Sequence, residues 1–300
     1  MGNKFRAHET FYIRKGWLGK GMRYVSTRAN LFSDKENSPM DVLGIGSNMV
    51  KSLRYWLQAV GLTIETKGQV LTEFGNLVYE HDPYTEEIGT LQLLHYKLVS
   101  NRDLAPSWYF FFNIFSMREF TKDDFLLHIQ NELKLADISV ALRSLTDDFA
   151  CIVNTYVPRY KYESSKISPE NNMSCPLGEL ELLDIFSKER GVITYKKTVP
   201  NARTFNPWVV LAVISDQACG RNEIGLNELL TSEMNIGKIY NLDSICMLEM
   251  LHDVERLGEI KIIRTAGLDI IKIKNKRSFA ECVENYYASI EGTVRYGQND

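Results

Sequence analysis

Between residues 39 and 72 the apolar positions first follow the period of a helix and then that of a strand. This stretch predicts a short helix from Pro39, a glycine turn, a longer amphipathic helix, and two strands joined at Lys67-Gly68. The apolar face of the longer helix holds Met49, Val50, Leu53, Trp56, Leu57 and Val60. The order of these elements is that of a helix-turn-helix followed by a wing.

The opposite face of the longer helix is polar and carries positive charge. It comprises Lys51, Arg54, Tyr55 and Gln58, and the helix begins with the polar residues Ser47 and Asn48. In a DNA major groove, Lys and Arg can meet phosphates or guanine edges, and Gln can pair with adenine. We therefore expect double-stranded DNA to bind this face, with Lys67 contributing from the wing. An ordinary amphipathic helix with a solvated polar face is the alternative.

The segment before residue 32 interleaves cations with aromatic residues and glycines. Its candidate DNA-binding cations are Arg14, Lys15, Lys20 and Arg23. Such a composition suits a surface that closely approaches a sugar-phosphate backbone. A helix or strand whose aromatic residues pack onto the next domain is an equally good interpretation.

The helix-helix-strand order recurs further along the chain. Residues 121–157 predict a helix capped by Thr121, a second short helix and a strand-like segment at 149–157. Residues 177–191 have a helical pattern, and residues 222–274 predict two helices and two strands joined at Ala266-Gly267. The cations of this last wing region are Lys261, Arg264, Lys272, Lys274, Lys276 and Arg277.

The predicted fold is therefore mainly α with small β wings (α+β), built as tandem winged-helix-like units. The predicted domains are a basic arm plus winged helix-turn-helix at 1–100, a second winged-helix-like unit at 101–157, a linker at 158–176, and a C-terminal winged-helix-like domain at 177–300.

Charge is unevenly distributed along the chain. The net charge is −3, yet residues 1–70 hold eleven Lys/Arg against five Asp/Glu, a balance of +6. Residues 71–190 hold eleven against nineteen, a balance of −8. Positive charge thus coincides with the helix-turn-helix, as nucleic-acid binding requires. The acidic middle is expected to face solvent or a partner protein.

Composition narrows the class of protein. A chain of 300 residues with 44% hydrophobic and 24% charged residues is typical of a globular protein of two or three domains. No run approaches the roughly 20 apolar residues of a membrane span, so we expect a cytoplasmic protein without a membrane partner. The five cysteines are far apart in sequence, which argues against a zinc site and a disulfide framework.

Recognisable catalytic motifs are absent from the sequence. Neither a phosphate-binding glycine loop nor a zinc-protease or serine-hydrolase motif occurs. The acid-x-lysine pattern of metal-dependent nucleases occurs at Glu259-Ile260-Lys261, with Asp253 upstream, and at Glu132-Leu133-Lys134. Chance produces such triplets in a charged chain, so catalytic and metal-binding residues stay unassigned. His8 and His95 are expected to be structural.

Four segments carry a family resemblance: HETFYIRKGWLGKG, IGSNMVKSLRYWLQAVGL, LTEFGNLVYEHDPY and GTLQLLHYKLVSN. They resemble a prokaryotic domain-of-unknown-function family, the SspB-like components of DNA phosphorothioation and phage-defence systems. The resemblance covers nearly the whole chain and is most specific in the first hundred residues.

The resemblance implies a DNA-binding component that nicks the strand to be modified, with a divalent metal such as Mg²⁺ as cofactor. It implies a cysteine desulfurase, an ATPase and an ATP-pyrophosphatase-like enzyme as partners. No catalytic motif of the family can be transferred position by position. Two alternatives stay open: an adaptor that binds the modification enzymes without touching DNA, and a transcriptional regulator of the operon.

Overall fold

The structure is a computed structural model, and it describes residues 4–34, 38–157, 174–265 and 268–297. The chain forms two compact units, Met1–Thr198 and Val199–Asp300. Both units combine helices with small antiparallel sheets, which confirms the predicted α+β class. That the units are winged helices stays a prediction. No described helix is long and apolar enough to cross a membrane.

The first unit is mostly helical. Its described helices are α1 (Trp17–Thr27), α2 (Pro39–Leu43), α3 (Ser47–Ala59), α4 (Glu73–His81), α5 (Ile88–Ser100), α6 (Pro106–Tyr109), α7 (Lys122–Leu135) and α8 (Leu142–Tyr156). A π-helical turn at Phe110–Ile114 follows α6, and 3-10 turns lie at Leu31–Ser33 and Pro176–Leu180.

Two small antiparallel sheets complete the described part of this unit. Strands β1 (Thr63–Glu65) and β2 (Gln69–Leu71) form a hairpin with Thr63 opposite Leu71. Strands β3 (Glu119–Phe120), β4 (Leu183–Glu189) and β5 (Val192–Lys197) pair in the order β3-β5-β4. Residues 39–72 therefore contain the two helices and two strands predicted for them, in the predicted order.

Helices α4 and α7 each begin after a threonine that caps the helix. The Thr72 side chain accepts a hydrogen bond from the Gly75 amide at the start of α4. Thr121 and Asp124 form a reciprocal capping box at the start of α7. These bonds satisfy amides that a helix leaves without an internal partner, and so they fix where each helix begins.

Aromatic side chains fill the core beneath β3 and β5. Phe120 packs edge to face against Phe111 and Phe115, whose own rings are tilted toward each other, with ring centroids 5.1–6.0 Å apart. The Lys197 ammonium lies 4.6 Å from the centre of the Phe111 ring and donates to the carbonyls of Phe111 and Phe115. The aromatic residues between 110 and 120 are thus buried in the core of the first unit.

Two predicted elements are wrong, and residues 222–274, predicted to hold two helices and two strands, form three of each among the described residues. Residues 149–157 were predicted to be a strand but lie in α8, where Leu145, Phe149 and Ile152 are buried on one helical face. Residues 177–191 were predicted to be a helix but form the 3-10 turn and β4. In that segment, pairing of β4 with β5 outweighs the helical spacing of the leucines.

The second unit is a helical layer against a three-stranded sheet. Its described helices are α9 (Pro207–Ala218), α10 (Leu226–Thr231), α11 (Ile236–Ile239), α12 (Ser244–Arg256) and α13 (Phe279–Gly297). Its described strands are β6 (Glu223–Gly225), β7 (Ile260–Thr265) and β8 (Leu268–Ile273), in the order β6-β8-β7. Helix α9 is buried from Val209 to Ile214 and packs against α12 and α13.

The compact units differ in extent from the predicted domains. Strands β4 and β5, predicted to belong to the C-terminal domain, lie in the first unit, where β5 pairs with both β3 and β4. The predicted linker at 158–176 lies outside the described residues up to 173.

Candidate nucleic-acid interface

The N-terminal segment is fixed to the first unit by a buried carboxylate. Arg6, Glu9 and Thr10 have φ angles of 56°, 50° and 67°, a left-handed conformation that costs energy for residues other than glycine. The Asp148 Oδ1 atom accepts from the Arg6 amide at 2.8 Å and lies 2.8 Å from His8 Nε2. Asp148 therefore holds the strained turn in place.

The hydrogen bonds of His8 assign its tautomer. The Thr10 amide donates to His8 Nδ1 at 3.0 Å, so that nitrogen is the acceptor and Nε2 carries the proton donated to Asp148. The Ser107 hydroxyl donates to the other Asp148 oxygen at 2.5 Å. The Ser107 hydroxyl contacts the Asp148 carboxylate and not the His8 imidazole. Ser107, His8 and Asp148 therefore do not form the nucleophile-base pair of a catalytic triad. His8 is structural, as expected, and His95 is likewise buried, 2.8 Å from the Tyr156 hydroxyl.

The N-terminal segment also contacts the inner face of α3. The Trp56 indole N–H donates to the Phe11 carbonyl at 2.9 Å. The His8 ring stacks on Trp56 with centroids 6.2 Å apart. These contacts join the segment to the helix-turn-helix, and both candidate regions therefore belong to one packed structure.

Helix α1 lies close against α3 because glycines face its neighbours. A Cβ atom on Gly21 would be 2.7 Å from the Leu57 side chain, and one on Gly19 would overlap the Pro83 carbonyl oxygen. Lys20 and Arg23 of the same helix are exposed. These two cations lie one helical turn apart, at the i and i+3 positions that share a face.

Helix α1 connects the turn of the helix-turn-helix to the wing. The Lys20 ammonium is 4.0 Å from the position that a Gly44 Cβ would occupy, beside the left-handed turn between α2 and α3. Beyond the other end of α1, the Gln69 amide donates to the Ala29 carbonyl at 2.7 Å. Arg28 is exposed next to that contact and was not among the predicted site residues.

Only part of the outer face of α3 is available to contact DNA. Lys51 is exposed, as are Ser47 and Asn48 at the start of the helix, where no side chain caps the free amides. Arg54 forms an ion pair with Glu65 of β1, and Gln58 Nε2 donates to the same carboxylate at 3.3 Å. Glu65 thus engages two of the side chains predicted to read DNA.

Tyr55 does not lie on the exposed face as predicted. Its side chain is 7% exposed, and burial raises the pKa of its hydroxyl well above the usual value, with Asp148 and Cys151 adding smaller contributions. The reason is that Tyr55 faces α8, which supplies both of those neighbours. Tyr55, on the face of α3 predicted to be polar and exposed, is therefore buried by a helix about 90 residues further along the chain.

The remaining predicted cations separate into two groups. Arg14 lies over the rings of Phe11 and Trp17, 5.6 and 5.3 Å from their centres, and Lys15 is 3.6 Å from Glu86. Four cations make no ion pair within the part of the chain that the structure describes: Lys20, Arg23, Lys51 and Lys67. We call these four, together with Arg28, Ser47 and Asn48, the α1–α3 surface.

The described residues do not assemble a recognisable metal site. Among them, no group of three or more His, Cys, Asp or Glu side chains could hold a metal ion. Both oxygens of Glu259 accept hydrogen bonds, from Arg277 at 2.7 and 3.0 Å and from Asn275 at 3.0 Å. The bonds from Arg277 lower the pKa of this carboxyl despite its burial. Asp253 likewise forms an ion pair with Arg256. Both acidic residues of the acid-x-lysine pattern at 259–261 are thus engaged in contacts within the protein, which gives the pattern a structural explanation.

Comparison with known proteins agrees with the resemblance read from the sequence. A magnesium ion-bound SspB crystal structure matches with a TM-score of 0.83 and 26% identity, covering 97% of this chain and 89% of that chain. A second SspB crystal structure matches with a TM-score of 0.81, 25% identity and the same coverage. No curated protein matches the chain. The profile of a family described as protein of unknown function (DUF4007) matches residues 5–287, and the chain therefore belongs to that family.

Proposed function

We propose that this protein is a DNA-binding component of a DNA phosphorothioate modification and phage-defence system, and that the α1–α3 surface holds the duplex. The supporting observation is the placement of unpaired cations on α1, α3 and the wing. Lys20 lies beside the helix-turn-helix turn, and the end of α1 lies beside the wing. The similarity to SspB structures supports the connection to the modification system.

The chemistry of this surface suits phosphate contacts more than base recognition. Lys20, Arg23 and Lys51 offer charge to the backbone, while exposed amides at the start of α3 can donate to phosphate oxygens. The groups suited to base edges, on Arg54 and Gln58, are bound to Glu65. We therefore expect binding that depends strongly on salt and weakly on sequence.

The salt dependence of duplex binding tests this proposal. In the variant Lys20→Gln/Arg23→Gln/Lys51→Gln, the slope of log affinity against log salt should fall by nearly three units, because each phosphate that a cation no longer neutralises lowers it by about 0.9. Fluorescence anisotropy with a labelled mixed-sequence duplex measures that slope.

A matched control removes the same charge elsewhere in the first unit. The variant Lys122→Gln/Lys134→Gln/Arg143→Gln loses three exposed cations of the acidic segment and should keep the wild-type slope. Equal slopes for the two triple variants would count against the proposed surface. A wild-type protein that retains no duplex would count against DNA binding altogether.

Nicking of the strand to be modified is the activity that the SspB-like resemblance implies. Because the described residues assemble no three-ligand metal group, no catalytic step is assigned to them. Incubating supercoiled plasmid with the protein tests the activity. Relaxed circles that form with Mg²⁺ and not with chelator would establish metal-dependent nicking, and supercoiled plasmid under both conditions would exclude it.

Exposed apolar residues in the acidic segment favour a second candidate function, docking of partner enzymes. The side chains of Leu127, Leu135 and Leu142 are 57%, 86% and 52% exposed on α7 and α8. Such residues are common at protein interfaces. An adaptor of this kind should co-purify with the desulfurase, ATPase or ATP-pyrophosphatase-like partner, lose that partner in the variant Leu135→Asp/Leu142→Asp, and retain no DNA.

A further inference from the structure

The hairpin of the second unit carries lysines that face one another. In the antiparallel pair β7-β8, Lys261 lies directly opposite Lys272. Lys274 is the first residue after β8, and its amide still donates to the Glu259 carbonyl at 2.8 Å, so it continues the ladder on the side of Lys272. All three lysines are exposed. We call them the hairpin lysines.

Neighbouring acids neutralise the hairpin lysines only in part. Within the described residues none of the three has an ion pair, although Glu223 lies opposite Lys272 on the other side of β8. The Glu259 carboxylate is bound by Arg277 and Asn275. Glu255 accepts from the Ile262 amide at 2.9 Å and lies 3.5 Å from His252. The Ile262 bond is the largest cause of the lowered pKa of Glu255, and the charge of Lys261 adds a smaller contribution.

An energetic cost accompanies this arrangement. Like charges directly opposite across two strands are destabilising, and side chains so close are well within a Debye length of about 8–10 Å. Lysines on edge strands often prevent sheet-to-sheet aggregation, which would explain Lys261 on the edge strand β7. Strand β8 is the central strand, so edge protection does not explain Lys272.

We propose that the hairpin lysines form a second phosphate-binding surface for duplex DNA, an inference that rests on the proposed function. Cross-strand neighbours lie about 5 Å apart and alternate residues about 7 Å apart in a perpendicular direction, so the three Cβ atoms lie within roughly 9 Å of one another. Duplex DNA presents a negative charge about every 1.7 Å of its axis and can engage all three. Lipid binding would need an apolar side chain to insert, whereas the neighbours Ile263 and Ile270 on this face are half-buried.

Removal of the three charges in the full-length chain tests the inference. The variant Lys261→Gln/Lys272→Gln/Lys274→Gln should lower the salt slope of duplex binding by nearly three units. The charge-preserving variant with arginine at the same positions should keep the wild-type slope. The variant Lys122→Gln/Lys134→Gln/Arg143→Gln is the matched control. If the glutamine triple does not fold, each single substitution should lower the slope by about one unit.

The outcomes separate this inference from the proposed function. A normal slope in the hairpin variant, together with a reduced slope in the Lys20/Arg23/Lys51 variant, would overturn only the second surface. A wild-type chain that binds no duplex would overturn both. Binding of the same variants to vesicles containing phosphatidylserine is measured as well. If the hairpin variant loses vesicle binding and keeps full duplex binding, the surface is a lipid site and the inference is wrong.

Discussion

Asp148 is the residue on which the N-terminal turn depends. It is buried and accepts hydrogen bonds from a backbone amide, a serine hydroxyl and an imidazole. Substitution by alanine would leave these donors buried without a partner, at about 1–3 kcal/mol for each. We expect Asp148→Ala to lower the free energy of unfolding by about 3 kcal/mol or more, seen as a lower urea midpoint of tryptophan fluorescence.

The neighbouring aspartate provides a control for this prediction. Asp147 forms a partly exposed ion pair with Arg6, at 2.7 Å from Nε. Pairs of that kind contribute about 0–1 kcal/mol. Asp147→Ala should therefore change the urea midpoint little, and two alanine variants of equal stability would contradict the role given to Asp148.

Glu65 limits how the α3 face can meet DNA. Its carboxylate holds Arg54 and Gln58 and would itself be repelled by phosphates. If α3 faces the duplex, Glu65→Gln should free the arginine and tighten binding about three- to tenfold, with a salt slope steeper by about one unit. Anisotropy titration measures both quantities.

An exposed glutamate on α4 controls for net charge in that experiment. Glu80→Gln removes the same charge outside the α1–α3 surface and should leave affinity within about twofold of wild type, a free-energy change under about 0.5 kcal/mol. Weaker or unchanged binding by the Glu65 variant would mean that α3 does not approach the duplex as proposed.

At the scale of elements, the position of α1 depends on its close approach to the turn at Pro83. Gly19→Ala would place a methyl group against the Pro83 carbonyl oxygen, a backbone atom that cannot move aside. Such overpacking costs about 1–3 kcal/mol. A lower midpoint of urea unfolding should report it.

Another helical glycine distinguishes this steric effect from helix propensity. Nothing lies within 4 Å of a Cβ on Gly292 in α13, so Gly292→Ala should be neutral or stabilise the protein by about 0.5–1 kcal/mol. A Gly19 variant as stable as the Gly292 variant would show that α1 does not pack as described.

The elements predicted correctly are those whose sequence signals agree with one another. In residues 39–72, the helical period, the glycine turn and the strand alternation all indicate the same structure. At 149–157, β-branched and aromatic residues suggested a strand, but their buried side chains follow a helical period continuous with Leu145. At 183–189, the leucine spacing suggested a helix, and the deciding contact is with β5, which local sequence does not show.

At the scale of the whole molecule, the candidate surface was only partly predictable. The charge balance indicated the same region in which the described cations without an ion pair lie, on α1, α3 and the wing. The sequence could not show that Tyr55 faces α8 or that Glu65 binds Arg54, because both depend on packing between distant segments. Arg28 could have been found, since it is a further cation of the same basic N-terminal segment as Lys20 and Arg23.

The central claim is that duplex DNA covers the α1–α3 surface, and lysine acylation of the wild-type chain tests it most directly. Peptide mass spectrometry would compare the reactivity of each lysine with and without a mixed-sequence duplex. Lys20, Lys51 and Lys67 should lose reactivity when the duplex is bound, while Lys122 and Lys134 should not. Unchanged reactivity of the first three lysines under conditions where the duplex is bound would contradict the account.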